Sequence, residues 1–174
     1  MGVILMKHKT KFCDRLFNLN PKIRIYDLDG TIIDSSHRAK HDKNGKLDLA
    51  HWKANNTKEN IFRDGLLPMY WQLVADYKNG DIVILCTARE LNKHDWEFIH
   101  SYGIYYDYVK SRPLGESTAD WKLKRRLLNP FFNLKPFQAL EKYFYDDNNS
   151  NLLAIGDMGA TCCNAKTWNA KFVN

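Results

Sequence analysis

Ile23-Arg24-Ile25-Tyr26-Asp27-Leu28-Asp29-Gly30-Thr31 is the stretch on which the fold turns. Lys22 to Leu28 reads as a strand, and Gly30 ends it. Two acids directly after an apolar strand are costly to place near a core unless they serve a purpose. Working outward, Asp81 opens a second strand, Ile82-Val83-Ile84-Leu85-Cys86. A continuous apolar run of this kind marks a strand buried on both faces of a parallel sheet. It ends in Thr87-Ala88-Arg89, and a third strand, Lys142 to Tyr145, ends in Asp146-Asp147. Between them, Leu66 to Lys78 carries Leu67, Tyr70, Trp71, Val74 and Tyr77 at helical steps, and Asn79-Gly80 stops it. Glu90 to Tyr102 and Thr118 to Leu128 are expected helices, the latter stopping before Pro130, with a short strand at Tyr106 to Val109. The alternation predicts an α/β fold, a Rossmann-like central parallel sheet with helices on both faces. Residues 34–63 are polar and read as irregular or as a small insert, and the last twenty or so residues carry the weakest pattern.

The 174 residues suit a single domain spanning 1–174. With 44% hydrophobic and 13% aromatic residues and 9 Gly, disorder and a collagen-like fibre are excluded. No apolar run approaches the roughly 20 residues of a membrane span. Val3-Ile4-Leu5-Met6 is too short for a signal core, and Met6 breaks the myristoylation pattern begun by Gly2. A soluble cytoplasmic protein with no membrane partner is expected. Cys13, Cys86, Cys162 and Cys163 form no C-x-x-C pair and read as reduced thiols. The net charge of +6 is uneven: residues 1–24 hold Lys7, Lys9, Lys11, Arg15, Lys22 and Arg24 against Asp14. Lys122, Lys124, Arg125 and Arg126 form a second cluster. This bias suits an anionic partner such as a nucleic acid or a phosphorylated metabolite, or else a solvated face.

Open parallel sheets bind ligands at the carboxyl ends of their strands. Asp27, Asp29, Asp146, Asp147, Thr87 and Arg89 all follow strands and are expected at one sheet edge. Crowded carboxylates need a hard cation, and Mg²⁺ with retained waters is the common choice. Thr87 has a hydroxyl for a phosphoryl oxygen, and a helix lysine such as Lys122 adds a point charge. Arg89 suits either the phosphate or the acidic cluster.

Asp27-Leu28-Asp29-Gly30-Thr31 resembles the D-x-D-G-T signature of the haloacid dehalogenase (HAD) superfamily of phosphatases and phosphotransferases. The strand ending in Thr87 is similar to that family's second motif, Lys122 to its third, and Asp146-Asp147 to its fourth. Lys124, two residues on, is the alternative for the third. The resemblance covers about residues 22–150 and implies a two-step phosphoryl transfer. Asp27 would be the nucleophile and Asp29 the acid and base. Thr87 and Lys122 would hold the phosphoryl oxygens, with Arg89 beside them. Mg²⁺ would be held by Asp27, the backbone carbonyl of Asp29, and Asp146 or Asp147. Segment 34–63 would be a small or minimal cap. The Thr87-Ala88-Arg89 turn and the basic patches also resemble the 3′-phosphatase domain of polynucleotide kinases and, nearly as well, small nucleotidases. The expected substrate is therefore a phosphorylated nucleotide or a nucleic-acid 3′ end. The alternatives are a 5′-nucleotidase on free deoxynucleotides, and a module that binds a phosphorylated ligand or RNA without turnover. The histidines show no metal-ligand spacing; Trp71 and Trp96 are expected in the core, and Trp52 is the aromatic placed to stack on a base.

Overall fold

A computed structural model describes residues 15–172. The basic residues of 1–14, with Cys13, lie outside the described residues. Five strands, β1 (Ile23–Tyr26), β4 (Ile82–Cys86), β5 (Tyr108–Lys110), β6 (Lys142–Asp146) and β7 (Thr161–Asn164), form one sheet. Its order is β5-β4-β1-β6-β7, and every pairing is parallel. A two-stranded antiparallel pair, β2 (Ile33–Asp34) with β3 (Gly65–Leu66), brackets the polar segment. The helices are α1 (Leu49–Ala54), α2 (Lys58–Ile61), α3 (Met69–Lys78), α4 (Lys93–Ser101), α5 (Asp120–Asn133), α6 (Lys135–Gln138), α7 (Asn149–Gly156) and α8 (Ala165–Asn169).

The chain begins in the middle of the sheet, builds outward through β4 and β5, then returns to the other side of β1 for β6 and β7. That reversal opens a crevice at the carboxyl end of β1, where open α/β sheets bind ligands. Strand alternation feeds two cores. Val83 and Leu85 face the layer of Met69, Leu73, Phe98 and Ile99 from α3 and α4. Ile84 and Cys86 face Leu128, Phe131 and Ile155 from α5 and α7. Burial on both faces is why β4 reads as an unbroken apolar run.

Several boundaries differ from the sequence expectation. α5 does not stop before Pro130 but runs through it to Asn133. An interior proline costs about 3 kcal/mol. Continuing the helix buries Phe131, which packs against Tyr108 and Phe137, and full burial of such a ring returns about 1.5–3 kcal/mol. Trp71 is not in the core: it is 70% exposed, while Tyr70 just before it is buried. Trp96 does pack against the core. Segment 34–63 is more ordered than its composition suggests, with a 3-10 turn at Ser36–Arg38 and two short helices capped by Asp48 and Thr57. β7, short and polar at the sheet edge, had no sequence signal.

Two basic residues of the N-terminal cluster are consumed structurally. Arg15 donates to Asp107 and to the carbonyl of Asp81, and Arg24 donates to Asp81 and to Tyr145. Cys86, Cys162 and Cys163 are free thiols. Among the described residues no helix is long and apolar enough to cross a membrane.

Candidate active site

Backbone pairing continues one residue past β1: the Asp27 N–H donates to the Tyr145 carbonyl at 2.9 Å. The last strand residue, Asp146, therefore comes up beside Asp27. The chain then turns sharply. The N–H groups of Thr31, Ile32 and Ile33 all donate to the Leu28 carbonyl, and Gly30 adopts φ +73°. A Cβ at Gly30 would sit 2.8 Å from Asp147 Cγ, so the glycine also makes room for that carboxylate. A buried amide braces the turn from the far end of the chain. Asn169 Nδ2 donates to the Thr31 carbonyl at 3.0 Å, and its Oδ1 accepts from the Met69 N–H at 2.8 Å. Pro68 gives α3 no side-chain cap, so Asn169 satisfies an otherwise orphaned helix donor.

Oxygen atoms of Asp27, Asp146 and Asp147 lie within 4.8 Å of one another. Lys124, 1% exposed, reaches in from α5 and donates to Asp27 Oδ1 at 2.8 Å and to Asp146 Oδ2 at 2.6 Å. Asp146 also accepts from the Asn148 N–H and from Asn151 Nδ2. Burial, then the neighbouring Asp146 and Asp29, push the Asp27 carboxyl well above the usual range, against the pull of Lys124. Burial and Asp146 likewise raise Asp147. Lys124 is held as a cation: Asp27 and Asp146 outweigh the cost of its burial. Three carboxylates against one ammonium leave the pocket short of positive charge. An all-oxygen donor set with that deficit fits Mg²⁺.

The expected lysine, Lys122, is corrected by this geometry. Two residues on a helix are 200° apart, so with Lys124 turned inward Lys122 is exposed, its ammonium 5.2 Å from the Trp121 ring centre. Asp29 does not join the metal-capable carboxylates through its side chain. Instead it accepts from Arg89 Nε at 3.0 Å, from a second Arg89 nitrogen and from Ser35 Oγ at 2.6 Å. Burial would raise its carboxyl, but the charge and hydrogen bonds of Arg89 outweigh this and lower it. Arg89, expected among substrate contacts, spends its guanidinium on Asp29 and on Asp95 at 2.6 Å. Asp95 serves twice: its other oxygen accepts from the Asn92 N–H and closes the capping box of α4. Thr87, 1% exposed, accepts from the Arg89 N–H at 3.1 Å, which fixes its hydroxyl at the end of β4.

Segment 34–63 leans on this acid–arginine pair. Arg38 is buried and grips Asp64 with two hydrogen bonds of 2.9 and 2.7 Å, and Asp64 Oδ2 is 3.8 Å from Arg89. Trp52 lies under both guanidinium groups, 4.3 Å from Arg38 and 5.4 Å from Arg89. The ring face expected to stack on a base is thus engaged by arginine. His37 pairs with Asp64 at 2.8 Å and binds within this network. Arg38, Asp64 and Asn169 had no local sequence signal, because each works through a partner distant in the chain; Ser35, Asp95 and Asn151 reach partners five or six residues away, but no periodic pattern marks them.

Residues 10–113, more than half of the chain, match the family described as Bacteriophage T5 5′-deoxynucleotidase. The chain belongs to that family. A curated 5′-deoxynucleotidase from Escherichia phage T5 is 36% identical over 87 residues. That match covers 48% of the chain and 36% of the relative, so the chain spans little more than a third of it. The family match takes in Asp27 to Thr31 and Thr87 to Arg89 and ends before Lys124 and Asp146. Solved structures extend the likeness in fold. A chain of the Pnkp1/Rnl/Hen1 complex has a TM-score of 0.65 at 22% identity, over 90% of this chain and 50% of that one. A structure titled as a putative phosphatase from Clostridium difficile has 0.60 at 16% identity, over 83% and 85%. A haloacid dehalogenase-like hydrolase from Streptococcus pneumoniae has 0.55 at 13%, over 82% and 83%. The deoxynucleotidase family member therefore has the HAD-superfamily fold.

Proposed function

We propose that the chain is a Mg²⁺-dependent phosphomonoester hydrolase acting on deoxynucleoside 5′-monophosphates. The observation that carries this is the meeting of Asp27, Asp146, Asp147 and Lys124 at the carboxyl edge of the sheet in a chain of the 5′-deoxynucleotidase family. Asp27, Asp146 and Asp147 are the residues to hold the ion, which when bound supplies charge to offset the carboxylates and the phosphate. A carboxylate oxygen of Asp27 attacks phosphorus, and the bond to the ester oxygen breaks as Asp29 gives that oxygen a proton. Asp29 then takes a proton from water as the water oxygen attacks phosphorus, releasing phosphate and Asp27. Arg89 and Ser35 hold Asp29 in its ionised form, the one that accepts from water. A phosphate dianion beside it favours protonation and supplies the acid form. Lys124 and the Thr87 hydroxyl meet the charge spreading over the phosphoryl oxygens. Segment 34–63 serves as a small cap that positions Arg89 and leaves the mouth open.

The test is release of phosphate from a panel: an aryl phosphate, the four deoxynucleoside 5′-monophosphates and a 3′-phosphorylated oligonucleotide. Turnover of the monophosphates that requires Mg²⁺ and stops with EDTA is expected. Turnover of the oligonucleotide end alone would replace this substrate with the polynucleotide one. No turnover of any would leave a ligand-binding module.

A further inference from the structure

The basic cluster on α5 is not used up by the catalytic site. Only Lys124 turns inward. Trp121, Lys122, Arg125, Arg126, Asn129 and Met158 line an open groove of about 450 Å³ on the outer face of α5 and the end of α7. Their charges differ in availability. Arg126 is paired with Glu116 through two contacts of 2.7 Å. Arg125 spends one donor on the Ala154 carbonyl at 3.0 Å, leaving the rest of its guanidinium. Lys122 makes no ion pair with a carboxylate among the described residues; its ammonium lies 5.2 Å from the centre of the Trp121 ring, a contact that a stacked base would replace as the lysine turns to a phosphate. Trp121 is 38% exposed, and no carboxylate lines the groove. The groove thus combines two available cations, an exposed indole and an amide, Asn129.

We propose that this groove binds single-stranded nucleic acid, with a base stacked on Trp121 and backbone phosphates on Lys122 and Arg125. Stacking platforms flanked by cations suit a strand because every base has a π-face and every linkage a charge. The groove and the pocket lie on opposite sides of one helix, roughly 10–12 Å across. Binding there leaves the pocket free and does not depend on turnover.

The test is fluorescence anisotropy of labelled twelve-nucleotide oligo(dT) and oligo(U) with the full chain in EDTA, over a salt series. Trp121→Ala should weaken binding roughly 5-fold or more. Lys122→Gln should lower the slope of log affinity against log salt by about 0.7, and Lys122→Gln/Arg125→Gln by about 1.4. If the double variant fails to fold, the two single variants at exposed positions carry the test. No binding at low salt, affinities and slopes unchanged in the variants, or equal competition by polyglutamate would each overturn the proposal.

Discussion

A Cβ on Gly30 would stand 2.5 Å from Asp147 Oδ2, and the Gly30 backbone is left-handed at φ +73°. The glycine of the acidic loop and the second acid after β6 therefore share one space. Gly30→Ala should cost about 1–3 kcal/mol in backbone strain and push Asp147 aside. The Mg²⁺ concentration for half-maximal activity should rise about tenfold or more. Metal titrations of activity and of the unfolding midpoint would check both effects.

Asp27→Asn should abolish hydrolysis, lowering kcat about a thousandfold or more. It should also raise the unfolding midpoint of the metal-free protein. Asp27's carboxyl is pushed up in the fold by burial and by Asp146 and Asp29, so its ionised form near pH 7 opposes folding. Removing that charge relieves the strain, a trade between stability and activity. Differential scanning fluorimetry without metal reads the stability change, and a lower midpoint than wild type would count against this electrostatic account.

Asp29 has the opposite sign. Despite burial, Arg89 lowers its carboxyl. Its contribution to stability is present above the unfolded value near 3.8 and is lost as pH falls through the lower folded value. Wild type should therefore lose more stability than Asp29→Asn as pH falls from 5 to below 3.8. Unfolding midpoints of both proteins across that window test this, and parallel profiles would contradict it.

Arg38 and Asp64 are both nearly fully buried and bonded twice. Arg38→Met removes two hydrogen bonds from the buried Asp64 carboxylate, leaving it His37 at 2.8 Å and Arg89 at 3.8 Å, and should cost about 3 kcal/mol, or roughly 6–12 °C. Arg38→Met/Asp64→Leu should recover much of that loss, because a buried pair is worth little against apolar replacements. Activity should stay low in both, since Arg89 loses its support from segment 34–63. The double-mutant cycle measures the coupling directly.

Asn169→Ala should cost about 2 kcal/mol, because the Met69 N–H and the Thr31 carbonyl are both buried and lose their partner. Denaturant unfolding reads this. Asn169→Asp keeps the acceptor for Met69 but turns an oxygen toward the Thr31 carbonyl, and should be at least as damaging.

The sequence by itself determined the β4 apolar run, the acids after β1 and β6, and hence the parallel sheet and the carboxylate edge. Those features are local: burial on both faces requires unbroken apolar residues, and a strand end fixes where the next side chain emerges. It left the choice between Lys122 and Lys124 open, since both fit a basic helix. Only the direction of α5 against the sheet turned Lys124 inward, where two carboxylates offset the cost of burying its charge. The Asp29–Arg89–Asp95 and Arg38–Asp64 pairs, the bracing Asn169 and the edge strand β7 were likewise decided by tertiary structure. Asp29 with Arg89, Arg38 with Asp64, and Asn169 with Met69 and Thr31 each satisfy a buried charge or backbone group with a partner remote in the chain, and such partnerships leave no periodic trace along it.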